Sequence, residues 1–157
     1  MKVSLTITKR PNPLINIGKM RAAFDKCLNE SADLVALDLE KPTKTWKAKV
    51  KAVIKKMAMG RIISIDNAIY GYVAKGTKPH IIRAKRAKYL AFGSAYGPKT
   101  TVNSLDSSSG SRGPVDTFRK EVRHPGSKAR NFDKIAADNA RKAFPDAVRK
   151  AIKEGVK

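Results

Sequence analysis

The sequence predicts an α+β domain with an N-terminal helix, a small antiparallel sheet that carries a long hairpin or loop, and a C-terminal helix. Helical patterns occupy residues 15–39 and 132–152 of the 157-residue chain. Short β-branched or apolar segments, separated by turn-forming residues, lie between them. This length fits a single domain, residues 1–157.

The first residues, 1–14, are expected to form an N-terminal arm. Val3, Leu5 and Ile7 alternate with polar residues, which is typical of a short strand. Pro11 and Pro13 then interrupt any regular structure before the first helix. This segment lacks the layout of a signal peptide.

The first helix is predicted from apolar residues spaced three and four apart over residues 15–39. Asn29 to Ser31 could interrupt it, and Pro42 is expected to end it. Cys27 lies among apolar neighbours and is predicted to be a small core residue rather than a nucleophile. A single cysteine excludes an internal disulfide framework.

The segment 46–54 fits two interpretations. Alternation of apolar residues with lysines favours a strand, whereas the spacing of Trp46, Val50 and Val53 also fits a helix. Because Gly60 can make a turn before the β-branched segment 61–65, a hairpin is the preferred interpretation.

The rest of the middle region alternates turns with short elements. Asp66 and Asn67 can cap a short helical turn over residues 68–74. Short apolar pieces at 81–82 and 89–92 precede a Gly-, Ser- and Thr-rich stretch. That stretch, residues 93–114, is predicted to be a flexible loop or hairpin tip because its composition cannot support a core.

The last two elements are the clearest. Residues 115–122 are predicted to form a returning strand, and an alanine-rich apolar stripe predicts the terminal helix. Pro145 must kink or restart that helix.

Charge is the strongest compositional signal. The formal net charge is +21, from 34 Lys and Arg against 13 Asp and Glu. Fifteen basic residues and one acid, Asp66, fall between Lys41 and Leu105, a net +14, whereas nine of the thirteen acids lie in the helical ends. A field of this sign attracts phosphate, anionic lipid or acidic protein surfaces, and we expect a polyanionic neighbour. No apolar run is long enough to cross a membrane, so no transmembrane helix is expected. A membrane is not among the expected partners.

Catalytic chemistry is hard to build from this sequence. His80 and His124, each beside a proline, are the only candidates for proton transfer near neutral pH. They could converge if the sheet brings their turns together, but two imidazoles without a Cys or acidic cluster make a poor metal site. We therefore expect no enzyme activity, no metal and no cofactor.

Sequence-independent nucleic-acid binding is the alternative function. Basic side chains could bind phosphates, and the neighbouring tyrosine rings could stack on bases. The candidate contacts, to nucleic acid or to an acidic partner, are Lys47, Lys49, Lys51, Lys55, Arg83, Lys85, Arg86 and Lys88.

One set of motifs goes beyond composition. The stretch YGYVAKGTKPH at residues 70–80 is followed by KYLAF at 88–92, a variable loop, VRHPG at 122–126 and an alanine-rich helix. This order resembles the neck and tail-completion family of tailed bacteriophages over roughly residues 41–152. Upstream, PTKT at residues 42–45 precedes Trp46, where that family usually has glycine.

The resemblance implies a structural virion protein that joins head to tail. It implies a ring of six or twelve copies, located in the neck of the virion and assembled in the host cytoplasm. Its partners would be other copies of itself, head-completion or adaptor proteins, tail-terminator or tail-tube proteins, and packaged double-stranded DNA in the channel. The motif turns would be structural corners or subunit contacts, and their residues are Tyr70, Tyr72, Gly76, Thr77, Pro79, His80, His124, Pro125 and Gly126.

Overall fold

The computed structural model describes residues 16–156 and confirms the predicted α+β class. The predicted N-terminal arm, residues 1–14, lies outside the described residues. Helix α1 (Ile17–Glu40) begins at Asn16, whose side chain accepts a hydrogen bond from the Lys19 N–H. It runs without interruption through residues 29–31, although their polar side chains made a break possible. It ends in a 3-10 turn (Lys41–Thr43) that buries Pro42.

Helix α3 (Phe132–Val156) packs along α1 in the opposite direction. Asn139, near the start of α3, donates a hydrogen bond to Asp38 near the end of α1, at 2.8 Å. At the other end, Gly155 lies so close to α1 that a β-carbon there would be 2.8 Å from the Met20 Cα atom. Pro145 lies inside a continuous α3, so the helix does not restart at that position.

The first hairpin consists of β1 (Val53–Met57) and β2 (Gly60–Ser64). The predicted hairpin is therefore confirmed, but the predicted strand over residues 46–52 is wrong, because that stretch is irregular. Val53 pairs with Ser64, and beyond that residue the partner chain turns away into the next helix. The Glu40 carboxylate instead accepts the Ala52 N–H at 2.9 Å.

Helix α2 (Ala68–Lys75) starts where the sequence predicted a cap, and the Asn67 side chain accepts the Tyr70 N–H at 2.9 Å. Four short strands follow it: β3 (His80–Arg83), β4 (Leu90–Phe92), β5 (Thr117–Arg119) and β6 (Glu121–His124). The predicted returning strand over residues 115–122 is thus divided in two. Strands β3 and β6 pair with each other, as do β4 and β5, so the described residues form three two-stranded sheets rather than one.

Residues 77–127 form one long antiparallel hairpin, which we call the long hairpin. Beyond β3–β6 and β4–β5, its two limbs also pair at Thr77 with Ser127, at Gly97 with Ser111 and at Thr100 with Ser107. Residues 84–89 bulge outward opposite Lys120, and we call them the bulge loop.

The tip of the long hairpin folds back onto the core. Leu105 is buried in one cluster with Val50, Tyr70, Ala74 and Phe132. The Lys99 ammonium donates to the Thr45 carbonyl oxygen at 2.9 Å, which holds the same limb against the irregular segment. The expectation that residues 93–114 cannot contribute to a core is therefore wrong for Leu105.

Candidate functional site

The two motif turns predicted from the sequence meet at one place, which we call the corner. There the base of the long hairpin joins α2 to α3. Thr77 and Ser127 exchange backbone hydrogen bonds of 3.0 and 3.1 Å, and their hydroxyl oxygens lie 3.1 Å apart. Two residues fifty positions apart in sequence, one in the first motif turn and one directly after the second, are in this way held in direct contact.

The glycines of the corner are required by its geometry. Gly76 has φ of 76° and Gly126 has φ of 86°, a left-handed conformation that side chains rarely adopt. A β-carbon on Gly126 would overlap the Thr77 carbonyl oxygen, and one on Gly76 would overlap the Ser127 carbonyl oxygen. Each glycine therefore allows the opposite turn to approach.

His80 and His124 face each other directly across β3 and β6, so the convergence that the sequence allowed does occur. Their ring centroids are 5.1 Å apart. The His80 Nδ1 lies 2.8 Å from the Lys78 carbonyl oxygen, so this nitrogen carries the proton and donates it. The His124 Nδ1 accepts the Gly126 N–H at 3.0 Å, so this nitrogen is unprotonated. Each imidazole thus fixes the backbone of its own turn.

The chain between the corner and α3 satisfies the carbonyl groups at the end of α2. The N–H groups of Arg130 and Asn131 both donate to the Ala74 carbonyl oxygen at 3.0 Å. Asn131, with φ of 57°, then accepts the Ile135 N–H through its own carbonyl and starts α3. The corner is therefore rigidly joined to the helix that carries the core residue Phe132.

The two motif tyrosines lie in different environments. Tyr70 is buried, with its ring centroid 5.6 Å from that of Phe132, whereas Tyr72 is 63% exposed. Burial, and then the nearby Asp133 carboxylate, raise the pKa of the Tyr70 phenol. Its hydroxyl oxygen has no hydrogen-bond partner among the described residues. Tyr70 is a core residue, and only Tyr72 is free to contact a partner.

The predicted basic contacts divide into two groups. Lys47, Lys49 and Lys51 lie on the irregular segment before β1, and Lys55 follows on β1 itself. Arg83, Lys85, Arg86 and Lys88 lie at the end of β3 and on the bulge loop, and all are exposed. Two of these eight side chains form ion pairs: Lys51 with Glu40 at 3.2 Å and Arg83 with Glu121 at 3.1 Å.

The hairpin register adds basic residues that the sequence alone did not single out. Arg119 ends β5, and Lys120 lies opposite the bulge loop, where its carbonyl oxygen accepts the Ala84 N–H at 3.4 Å. Pairing residues 115–122 with the segment 81–92 would have revealed this neighbour. The bulge loop and its opposite limb therefore bring basic residues from two distant parts of the sequence into one stretch of the long hairpin.

A cleft of about 700 Å³ opens between the curled hairpin and the core. Its basic lining residues come from both limbs, from the irregular segment and from the chain before α3, and they are Lys47, Lys99, Arg112 and Arg130. Trp46, Tyr96 and His124 add aromatic surface, and no lining residue is acidic. An anionic group of a partner would find favourable charge there.

Two other kinds of site are absent from residues 16–156. No group of three or more His, Cys, Asp or Glu residues in that range could hold a metal ion. None of the helices within it is long and apolar enough to cross a membrane.

Comparisons with known proteins return nothing for this chain: no family model, no curated protein and no solved structure matches it.

Proposed function

We propose that the protein is a structural subunit of the neck of a tailed bacteriophage, where a ring of its copies joins the DNA-filled head to the tail. The observation that carries this proposal is the corner. The first motif turn that produces the family resemblance, residues 76–80, is bonded through Thr77 to Ser127, the residue directly after the second motif turn, residues 124–126. Their glycines are needed for that contact. The resemblance therefore rests on residues that act as one structural unit.

The large accessible surface of the chain also supports an assembly role. The surface is 12815 Å², whereas a compact monomer of 17.2 kDa has about 7,800 Å². The sixteen residues outside the described range would account for roughly 2,600 Å² even if fully extended. A chain that leaves so much surface uncovered is expected to bury it against other subunits.

The proposed partners follow from the same setting. They are further copies of the chain in a ring of six or twelve, head-completion or adaptor proteins above, tail-terminator or tail-tube proteins below, and packaged DNA in the channel. Closed rings repeat one contact around an axis, so a single pair of complementary patches is enough to form them. Neither catalysis nor a cofactor is part of this proposal.

A gene-deletion experiment tests the proposal. Deleting the gene from the phage should leave full heads and separate tails in the lysate, and supplying the wild-type gene should restore joined particles. A Gly126→Val gene should fail to restore them, and Gly71→Ala should succeed because open space surrounds Gly71. Normally joined, infectious particles from the deletion would overturn the proposal.

Sequence-independent nucleic-acid binding is the second candidate function, and the bulge loop is the observation that favours it. The bulge loop carries the exposed residues Lys85, Arg86 and Lys88. The opposite limb of the long hairpin adds Arg119 and Lys120. The Lys88 ammonium lies 5.8 Å from the centre of the Tyr89 ring, so a base stacked on that ring would have a cation beside it.

Binding to double-stranded DNA at several salt concentrations tests this second candidate. For a DNA-binding protein, the logarithm of affinity should fall steeply with the logarithm of salt concentration. Replacing Lys85, Arg86 and Lys88 together by alanine should then make that slope shallower by about 0.9 for each phosphate that these side chains neutralise. The matched control replaces Lys142, Lys150 and Lys153, exposed lysines of α3. Weak binding with equal effects of the two triple variants would reject this candidate.

A further inference from the structure

An apolar groove runs between α1 and α3 on the side of the helix pair that the long hairpin does not cover. It has a volume of about 610 Å³, and no residue of the long hairpin lines it. Leu34 and Leu37 of α1 line one wall and are 60% and 63% exposed. Phe144 and the small side chains of Ala140 and Ala143 form the opposite wall.

The α1 edge of this groove is acidic in a strongly basic protein, whereas α3, with six basic residues and four acids, has a net charge of +2. Helix α1 carries five acids and three basic residues, a net charge of −2, whereas the whole chain is +21. Glu30 and Asp33 are exposed one turn before Leu34 and Leu37, and Asp38 lines the groove itself. The two arginines in the lining are paired, Arg61 with Asp25 and Arg141 with Asp138. Two of the acids are engaged as well, Glu30 with Lys26 and Asp38 with Asn139, which leaves Asp33 as the acid of this edge without an ion pair or a side-chain hydrogen bond among residues 16–156.

A second exposed surface lies on the middle of the long hairpin, and two of its residues, Tyr96 and Arg112, also line the cleft beside the core. We call it the shoulder; it consists of β4, β5 and their flanking residues, 84–96 and 112–120. Its exposed large side chains include Phe118, Tyr96 and Val115, which are 63%, 68% and 60% exposed. Six basic residues and one acid, Asp116, give the shoulder a net charge of +5.

The shoulder has little internal support within the described residues. Three paired positions join β4 to β5, and no third strand extends that sheet. A two-stranded sheet by itself is marginally stable in water. A partner surface that covers the apolar side chains of such a sheet would therefore stabilise it.

We infer that the shoulder of one copy docks into the α1–α3 groove of the next copy. Phe118 enters between the helices, and the basic shoulder residues lie against the acidic edge of α1. Aromatic anchors that enter apolar pockets are the usual centres of protein interfaces. Because the two surfaces differ, the contact is head to tail, which closes into a ring when the rotation permits. The inference rests on the proposed ring and names its subunit contact.

Two half-defective variants test this contact. Leu37→Lys puts a cation in the groove, and Phe118→Ser removes the anchor; both positions are well exposed, so each variant should fold. Each alone should be monomeric, with self-association weakened about 30-fold or more. An equimolar mixture should form a heterodimer, because one intact shoulder and one intact groove remain. The wild-type protein should form a closed oligomer, and Val53→Ser, at an exposed position of β1, should behave like it.

Several outcomes of sedimentation or light scattering would overturn the contact. These are variants that assemble like the wild type, a mixture that stays monomeric, or a wild-type protein that is monomeric at all concentrations. If residues 1–15 of the same chain were the occupant of the groove instead, Leu37→Lys would lower the stability of the monomer and Phe118→Ser would leave assembly intact, and that result also contradicts the contact. The phenotype of the gene deletion in the phage does not depend on which surfaces form the subunit contact. Unjoined heads and tails together with unaffected assembly of both variants would reject this contact and leave the proposed function standing.

Discussion

The Thr77 carbonyl group leaves no room for a side chain on Gly126. The Thr77 carbonyl oxygen lies where a β-carbon of residue 126 would be placed, and the Gly126 φ of 86° is itself unfavourable for other residues. The His124 ring holds the same turn by accepting the Gly126 N–H. The corner is therefore a tightly specified junction, and its stability can be measured.

Gly126→Ala should lower the free energy of unfolding by about 1–3 kcal/mol, because the variant must strain the backbone or separate the two turns. Gly71→Ala is the matched control. Gly71 lies inside α2 with open space around it, so alanine there should stabilise the protein by roughly 0.5–1 kcal/mol. Urea unfolding of both variants measures the difference. Equal stabilities would show that the corner tolerates a side chain.

Leu105 should contribute to stability like a core residue despite its place in a Ser- and Gly-rich stretch. It is 8% exposed and belongs to the cluster that contains Phe132. Leu105→Ala should therefore cost about 2–5 kcal/mol in thermal or urea unfolding. Val102→Ala is the control near the same tip, since Val102 is 36% exposed, and it should cost less than about 1 kcal/mol. A Leu105 variant as stable as the Val102 variant would mean that the hairpin tip is not part of the core.

The behaviour of residues 93–114 shows where sequence composition stops being informative. Averaged over the stretch, small polar residues predict a loop, yet one leucine at the tip is enough to anchor it. Nothing in the local pattern shows that the hairpin curls back, because the curvature arises from pairing between limbs that are distant in sequence. Helix α2 was predictable because its cap, Asn67, acts within three residues.

In the site too, features set by local sequence were predictable, and features set by pairing between distant segments were not. His80 and His124 could be expected to meet, because each follows or precedes a proline turn at one end of a predicted strand. The alternating lysines before β1 misled the prediction because strand pairing needs a neighbour, and the β2 chain leaves after Ser64 to form α2. Pairing partners are set by the tertiary fold and not by alternation alone.

Tyr70 offers a test of an unsatisfied buried group. Its ring is packed in the core, and its hydroxyl has no protein hydrogen-bond partner among the described residues, so removing the hydroxyl breaks no hydrogen bond to those residues. Tyr70→Phe should therefore leave stability unchanged or raise it by up to about 1 kcal/mol. Tyr70→Ala should lose about 3–5 kcal/mol because it removes the whole ring. If Tyr70→Phe proved strongly destabilising in urea unfolding, the hydroxyl must donate to a partner.

Glu40 should make the protein less stable in acid. The Ala52 N–H, and then Lys51, stabilise its ionised carboxylate and hold the pKa below the usual 4.5. A carboxyl whose pKa is lower in the folded state stabilises the fold above its unfolded pKa, and this contribution is lost as pH falls through the folded value.

Glu40→Gln should therefore destabilise the protein at pH 7, and the difference from wild type should shrink progressively below pH 4.5. Urea midpoints measured between pH 7 and pH 3 follow that difference. Glu30→Gln is the control, because among residues 16–156 the Glu30 carboxylate has one ion-pair partner, the exposed Lys26 at 3.8 Å. A Glu40 variant whose deficit stayed constant over this range would show that its carboxylate acts by packing rather than by charge.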